Sequence, residues 1–412
     1  MKQTKLWVAV ALLMTACSMN DGAEKKPEPV ICPPAGLELT RGEQVLVNHS
    51  NDFAFNLFRE VVSEDKSLML SPISITYALG MQNNGAAGET QQQINKVLGF
   101  TEAGEVNGFC RKMLYAAPNQ DPQTKVMIAN TIYVNQPYEL MSAFVQTVND
   151  YYQAQPETRN FHDGKTMSVI NRWASDHTER MIEKVLDEQS FNPDAVSYLL
   201  NAIYFKGEWS QKFETDDTQE ELFDNRVKVP MMHQVKELLY AEKDDYQALN
   251  LPYGNSAYSM TILLPKEGKT IGDVAKDLTA EGWSRMWYTG VPYEGAIVDV
   301  KLPRFETQTE LNLNDLMSHL GMPLAFDSEF AEFPNFCNVP TYIGLMKQVA
   351  RIKLNEEGTE AAAVTVIGME LTSAGPTSGP IHVNFHATRP FLYVISESST
   401  GAIFFIGQYL GK

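Results

Sequence analysis

The chain is poor in cysteine, with four in 412 residues. They stand at positions 17, 32, 110 and 337 without a C-x-x-C pair, so neither a disulfide framework nor a zinc site has support. Cys32, Cys110 and Cys337 read as buried or idle thiols. No block of Lys or Arg occurs anywhere and the formal net charge is −18. That disfavours nucleic acid, and it disfavours a heparin-like polyanionic cofactor. The apolar run Leu6 to Leu13 is far too short to span a bilayer. G-x-S-x-G, H-E-x-x-H and P-loop motifs are all missing, so catalysis finds no foothold. There is no internal repeat, and no linker after residue 40.

What is present describes a protein with ample core: 44% hydrophobic, 10% aromatic and 20% charged residues. The acidic balance reads as a solubility device. Length alone suggests two or three domains. Lys2 and Lys5 precede the short apolar run, as in the n-region and h-region of a secretory signal. Met14-Thr15-Ala16-Cys17 then resembles a bacterial lipobox, with Met14 where Leu is usual. The expectation is a lipoprotein signal over residues 1–17, with Cys17 lipidated and the mature protein tethered to a bacterial envelope, outer membrane favoured. Cleavage after Ala16 to give a freely secreted protein is the plainer reading. Residues 18–40, rich in Pro, Glu and Lys, read as a flexible tether.

From about residue 41 helix and strand patterns mix without a regular βα alternation, which points to an α+β fold with several sheets. Phe53, Leu57 and Val61 give helical spacing in NDFAFNLFREVVS, with Asp52 as the cap. SITYALGMQNNGA and the longer TMSVINRWASDHTERMIEKVL predict two more helices. Strand patterns fall on KVMIANTIYVN, SYLLNAIYFKGEW, YSMTILLP, GAIVDVKLPRF, FLYVISES and GAIFFIGQYLG. Gly85-Ala-Ala-Gly-Glu-Thr90 lacks the Lys of a phosphate loop and reads as the end of a helix. His382 and His386 would suit a metal on a helix. In the strand-like run they occupy, four residues span roughly 13 Å, so no metal site is expected.

Five ordered stretches carry a family resemblance. LSPISITYALGMQNNGAAGETQQQI, LLNAIYFKGEW, LNLPYGNSAYSMTILLP, KLPRFETQTELNLNDLMSHLGMPLAFD and RPFLYVISESSTGAIFFIGQ are together similar to the serpin family, from about residue 41 to the end. The resemblance implies one serpin domain over 41–412, with helices around three β-sheets and an exposed reactive-centre loop near the C-terminus. It implies a monomeric serine protease inhibitor that needs no cofactor or metal and is not an enzyme.

It also implies a hinge at Glu356, Glu357, Gly358, Thr359, Glu360, Ala361, Ala362 and Ala363. Ser71, Ser74 and Asn201 match the polar shutter that controls sheet opening, and Trp209 matches the breach where the loop enters. Gln348 stands where the family usually has His. The plainer reading of Ser71 is a helix cap. An inserted strand alternates its faces: Thr359, Ala361, Ala363, Thr365, Ile367 and Met369 form one, uncharged; Glu360, Ala362, Val364, Val366 and Glu370 the other. Counting fourteen from Gly358 puts the reactive bond at Thr372–Ser373, suited to elastase-like serine proteases. A shift to Leu371 or Met369 in this long loop would favour chymotrypsin-like ones. A non-inhibitory serpin, acting as a binding or chaperone-like surface protein, is the alternative.

Overall fold

The computed structural model describes residues 34, 36–288, 293–359 and 381–411. The helices are α1 (Arg41–Val61), α2 (Pro72–Gly85), α3 (Gly88–Leu98), α4 (Ala103–Ala116), α5 (Ser142–Tyr152), α6 (Thr166–His177), α7 (Ile271–Asp277), α8 (Ala280–Tyr288) and α9 (Asn314–Leu320). The strands begin with β1 (Leu68–Leu70), β2 (Lys125–Asn135), β3 (Gln155–Arg159), β4 (Ser197–Glu208), β5 (Gln219–Phe223), β6 (Val227–Glu242), β7 (Tyr246–Tyr253) and β8 (Tyr258–Pro265). They continue as β9 (Tyr293–Pro303), β10 (Phe305–Asn312), β11 (Lys347–Asn355), β12 (Gly358–Thr359), β13 (His382–His386), β14 (Phe391–Glu397) and β15 (Ile403–Tyr409).

These strands form two hydrogen-bonded sheets. A six-stranded sheet runs β10-β11-β12-β4-β2-β3, and a nine-stranded one runs β1-β15-β14-β8-β7-β6-β9-β13 with β5 on β6. Two of the three sheets the resemblance implies therefore run into one another. The cause is β6, sixteen residues long, which pairs with β9 from Met231 to Tyr240 and with β7 over Tyr240 to Glu242. The main core lies between helices α1–α5, the strands β14 and β15, and one face of the six-stranded sheet. A smaller cluster of Tyr133, Phe161, Ile170, Leu186 and Tyr198 seats α6 on the opposite face of that sheet.

Local chemistry explains most boundaries, and three expectations need correcting. Helix α1 begins eleven residues before Asp52, because Thr40 and Glu43 form a reciprocal capping box. Asp52 caps a different helix: its Oδ1 accepts from the Ala280 amide at 2.9 Å, at the start of α8. Helix α6 stops at His177, well short of the predicted run. Glu179 and Arg180 take φ of 47° and 65°, which no helix continues through. Residues Gly85 to Thr90 are a helix–helix junction in which Gly88 opens α3. Residues 36–40, assigned to the tether, lie against the body: Leu37 is buried and its amide donates to Ser399 Oγ at 2.8 Å. Cys110 and Cys337 are buried free thiols, and burial pushes both pKa values up. Among the described residues no helix is long and apolar enough to cross a membrane.

Candidate functional site: a slot in the six-stranded sheet

Strands β4 and β11 are separated by β12 alone. Asn355 and Leu354 pair with Gly358 and Thr359, which in turn pair with Glu208 and Gly207. Neighbouring strands lie about 4.8 Å apart, so β4 and β11 stand about 9.6 Å open at this level. Below it, no strand among the described residues bridges Ser197–Lys206 of β4 and Lys347–Lys353 of β11. Instead a cavity of about 510 Å³ follows the slot. Ile203, Ala350 and Ile352 line its walls, with Trp173 and Ile182 toward the α6 side and Phe405 toward the core. Two strand edges with open backbone groups beside a cavity of mixed polar and apolar lining could accept one more strand.

At the mouth of the slot the chain is held from several directions. The Trp209 amide donates to Glu357 O at 2.8 Å, its indole Nε1–H donates to Asn355 O at 3.0 Å, and the Phe213 amide donates to Glu356 O at 3.1 Å. The Trp209 ring stacks on Tyr253 with centroids 4.5 Å apart. Tyr253 and Thr359 share a hydroxyl hydrogen bond of 2.6 Å, with Thr359 only 3% exposed. Burial pushes the Tyr253 phenol far up despite that bond, so it stays protonated at any working pH. Gly358 has φ of 144°, and a Cβ there would lie 2.1 Å from Gly207 O. Only glycine fits this turn into the slot.

The two hinge acids are paired separately. Glu356, 5% exposed, accepts from Thr218 Oγ1 at 2.7 Å and from Arg304 Nε at 3.1 Å, with a second Arg304 contact through NH2. Burial alone would raise its pKa, but Arg304 and Thr218 outweigh it and hold the carboxyl below the usual glutamate range. Glu357 pairs with Lys212, which also reaches Glu208 at 3.0 Å. Burial works against the Lys212 charge, yet the two carboxylates keep its pKa above the ordinary lysine range.

Lower in the sheet, Ser71, Ser74, Asn201 and Gln348 come together. Ser71 is the cap of α2, accepting from the Ser74 amide at 3.4 Å, and its hydroxyl also donates to Phe404 O at 2.9 Å. The helix-cap reading of Ser71 is what the structure shows, and the same hydroxyl ties α2 to β15. Gln348 accepts from the Ser71 amide at 3.0 Å and donates to Ser71 O at 2.9 Å, joining β11 to the start of α2. Ser74 Oγ donates to Asn201 Oδ1. From Asn201 the chain runs to Asn130 at 2.8 Å, and Asn130 donates to Tyr152 O at 2.7 Å. A glutamine both donates and accepts without titrating, which a histidine in its place would not do.

Glu360, Ala361, Ala362, Ala363, Thr372, Ser373, Cys17 and Cys32 lie outside the described residues. Sequence reasoning missed Tyr253, Arg304, Thr218 and Lys212. Each meets the hinge from 52 to 145 positions away in the chain, where no spacing rule reaches. The strand placement of His382 and His386 stands in β13, and among the described residues no group of three or more His, Cys, Asp or Glu is placed to hold a metal.

The chain is 30% identical over 387 residues to an uncharacterized serpin-like protein of Thermococcus kodakarensis, covering 89% of this chain and 86% of that protein. It is 31% identical over 385 residues to serpin B3 of Homo sapiens, covering 87% and 97%. The solved structure of a thermophilic serpin, tengpin, in the native state superposes with a TM-score of 0.79 at 29% identity, covering 92% of this chain and 96% of that one. The family model described as serpin (serine protease inhibitor) matches residues 48–411, and the chain belongs to the serpin family.

Proposed function

We propose that this serpin is a single-use inhibitor that traps a serine protease by drawing residues 360–369 into the β4–β11 slot. Serpins are mostly protease inhibitors rather than catalysts, and this reading specifies how the present chain acts. The observation that carries it is the register of β12. Gly358 and Thr359 already sit between β4 and β11, and both strands run on past them, so the same register can be extended downward. Continued residue by residue, it sets Ala361 level with Phe205 and Ile352, and Ala363 level with Ile203 and Ala350. Ala361 meets two large side chains, and Ala363 one large and one small. Thr365 comes level with Asn201 and Gln348, so a hydroxyl meets the polar row. On the opposite face Glu360 comes level with Lys206 and Lys353, an acid between two bases.

A protease that attacks the exposed loop forms an acyl-enzyme ester. The freed segment then adds to the sheet, the strand addition for which serpins are the standing example. About ten to fifteen new hydrogen bonds at roughly 1 kcal/mol net each release on the order of 10 kcal/mol. Loss of one oxyanion-hole donor costs a protease roughly 3–4 kcal/mol. Insertion therefore has enough free energy to distort the enzyme before the ester hydrolyses.

For specificity, Thr372–Ser373 is the bond attacked and elastase-like proteases are the targets. No Arg or Lys lies between Gly358 and Arg389, which leaves trypsin-like enzymes without a site. Incubation with elastase- and chymotrypsin-type proteases should give SDS-stable complexes and release a fragment beginning at Ser373. Cleavage without a stable complex refutes trapping; a different first residue refutes the assigned bond. The protein works tethered by lipid at Cys17 to a bacterial envelope. Cys17→Ala should shift it from the detergent phase to the aqueous phase, and unchanged partitioning refutes the tether.

A further inference from the structure

A second cluster lies away from the slot, at the edge of the nine-stranded sheet. Strand β13 is the first described element after residue 380. It is five residues long, sits at the end of the strand order and pairs with β9 alone, in parallel. A short parallel edge strand is among the weakest attachments a sheet offers. Phe385, fully buried, holds one of its faces. On the other face His386 lies level with Lys301 of β9, which is itself level with His233 of β6. Asp299 is one step away on the same face of β9. Its Oδ1 accepts from His233 Nε2 at 3.0 Å and from His386 Nε2 at 3.1 Å. One carboxylate oxygen thus ties three strands together, and both rings must present Nε2–H to it.

We propose that His233, Asp299 and His386 form a pH-dependent staple that fastens β13 to the sheet more tightly in mildly acidic than in mildly alkaline solution. The charged and titratable groups on this face are Glu237 and His233 of β6, Asp299 and Lys301 of β9, His382 and His386 of β13, and Glu221 of β5. Lys301 is engaged by Glu221, with contacts of 2.7 and 2.8 Å to its two oxygens, so the Asp299 carboxylate is left to the two imidazoles. Burial would raise the Asp299 pKa, but the bonds from His386 and His233 prevail and lower it, so Asp299 is ionised throughout pH 5.5–8. Histidine is the side chain whose charge ordinarily changes near that window. A protonated imidazole makes a charge-assisted bond to the carboxylate in place of a neutral one. The gain is lost only where Asp299 itself protonates, below the ordinary aspartate range.

Hydrogen exchange on the full chain, corrected for intrinsic rates at pH 5.5 and 8.0, tests this without reference to inhibition. Peptides covering 382–386 should be roughly three- to fivefold more protected at pH 5.5, the size of a partly exposed ion pair. Peptides from β14, whose residues are fully buried, serve as the internal reference for folding. His386→Gln keeps a donor for Asp299 but cannot take a charge; it should retain the pH 8.0 protection and lose the acid increment. His386→Ala should lose both. A parent chain with equal protection at the two pH values overturns the staple whatever the variants do, and so does an acid increment that survives in His386→Gln.

Discussion

The two ends of the slot are held by different means. At the mouth the backbone of β12 is paired on both sides, and Glu356, Glu357 and Thr359 each have a buried or half-buried side-chain partner in Thr218, Lys212 and Tyr253. At the level of Gln348 nothing among the described residues bridges the strands, and closure rests on side-chain hydrogen bonds to α2. The difference assigns separate duties. On the proposed mechanism the mouth would fix where an incoming strand starts and in which register, and the lower row would decide how readily the sheet parts ahead of it.

The sharpest way to break the comparison is at Thr359. Thr359→Arg places a guanidinium where a 3% exposed hydroxyl meets Tyr253. The cost is several kcal/mol for an unpaired buried charge. The variant should become a substrate, with cleaved chain replacing SDS-stable complex in a titration against protease. Undiminished inhibition would sink the insertion mechanism.

Next is the mouth clamp. Arg304→Met leaves Glu356 buried with Thr218 as its remaining side-chain partner. About 2 kcal/mol should be lost at pH 7, discounted from the fully buried case because Arg304 is itself 43% exposed. The sign with pH follows from the depressed Glu356 pKa. Its contribution is present above the unfolded-state value and fades as pH falls through the lower folded-state value. The parent should therefore lose stability in acid where Arg304→Met loses less, a contrast that urea midpoints at pH 7 and pH 4 measure. Equal slopes would remove Arg304 from the clamp.

The lower row should respond more weakly in stability and more visibly in rate. Gln348→Ala strands the Ser71 amide and leaves Ser71 O without that donor, costing roughly 1–2 kcal/mol. The sheet should then open sooner, read as faster spontaneous loss of inhibitory activity at raised temperature. A variant that keeps its activity as long as the parent shows that the row does not control opening.

The smallest effect tests register. If Glu360 settles between Lys206 and Lys353, Glu360→Lys should slow complex formation by about two- to fivefold through like-charge contact on an exposed face. Adding Lys353→Glu should restore most of the rate. Failure of the second change to compensate would mean that the strand enters in another register.

How much of this was legible beforehand depends on the range of the interaction. The helix at SITYALGMQNNGA and the strand at SYLLNAIYFKGEW follow from periodicity, because their apolar faces repeat within a few residues. The start of α1 was misplaced because Asp52 is a good cap by type, but its partner is the Ala280 amide, 228 positions away. The end of α6 was missed because the amphipathic pattern continues past His177 while the backbone turns at Glu179 and Arg180. The clamp residues Arg304 and Tyr253 show nothing in their own neighbourhoods that marks them for the hinge.

By itself the sequence determined the character of the segment proposed to insert: a glycine at position 358, an uncharged alternating set from Thr359 to Met369, and no basic residue before Arg389. Those are properties of adjacent residues, set by backbone freedom and by the two-residue repeat of a strand. Only the tertiary structure shows that β4 and β11 stand apart below β12, and which side chains hold Glu356, Glu357 and Thr359 at the mouth. Strand order, the 510 Å³ cavity and the pairings of Glu356, Thr359 and Gln348 arise from contacts between distant parts of the chain. Their energies depend on burial and mutual orientation, and neither exists until the sheets have packed.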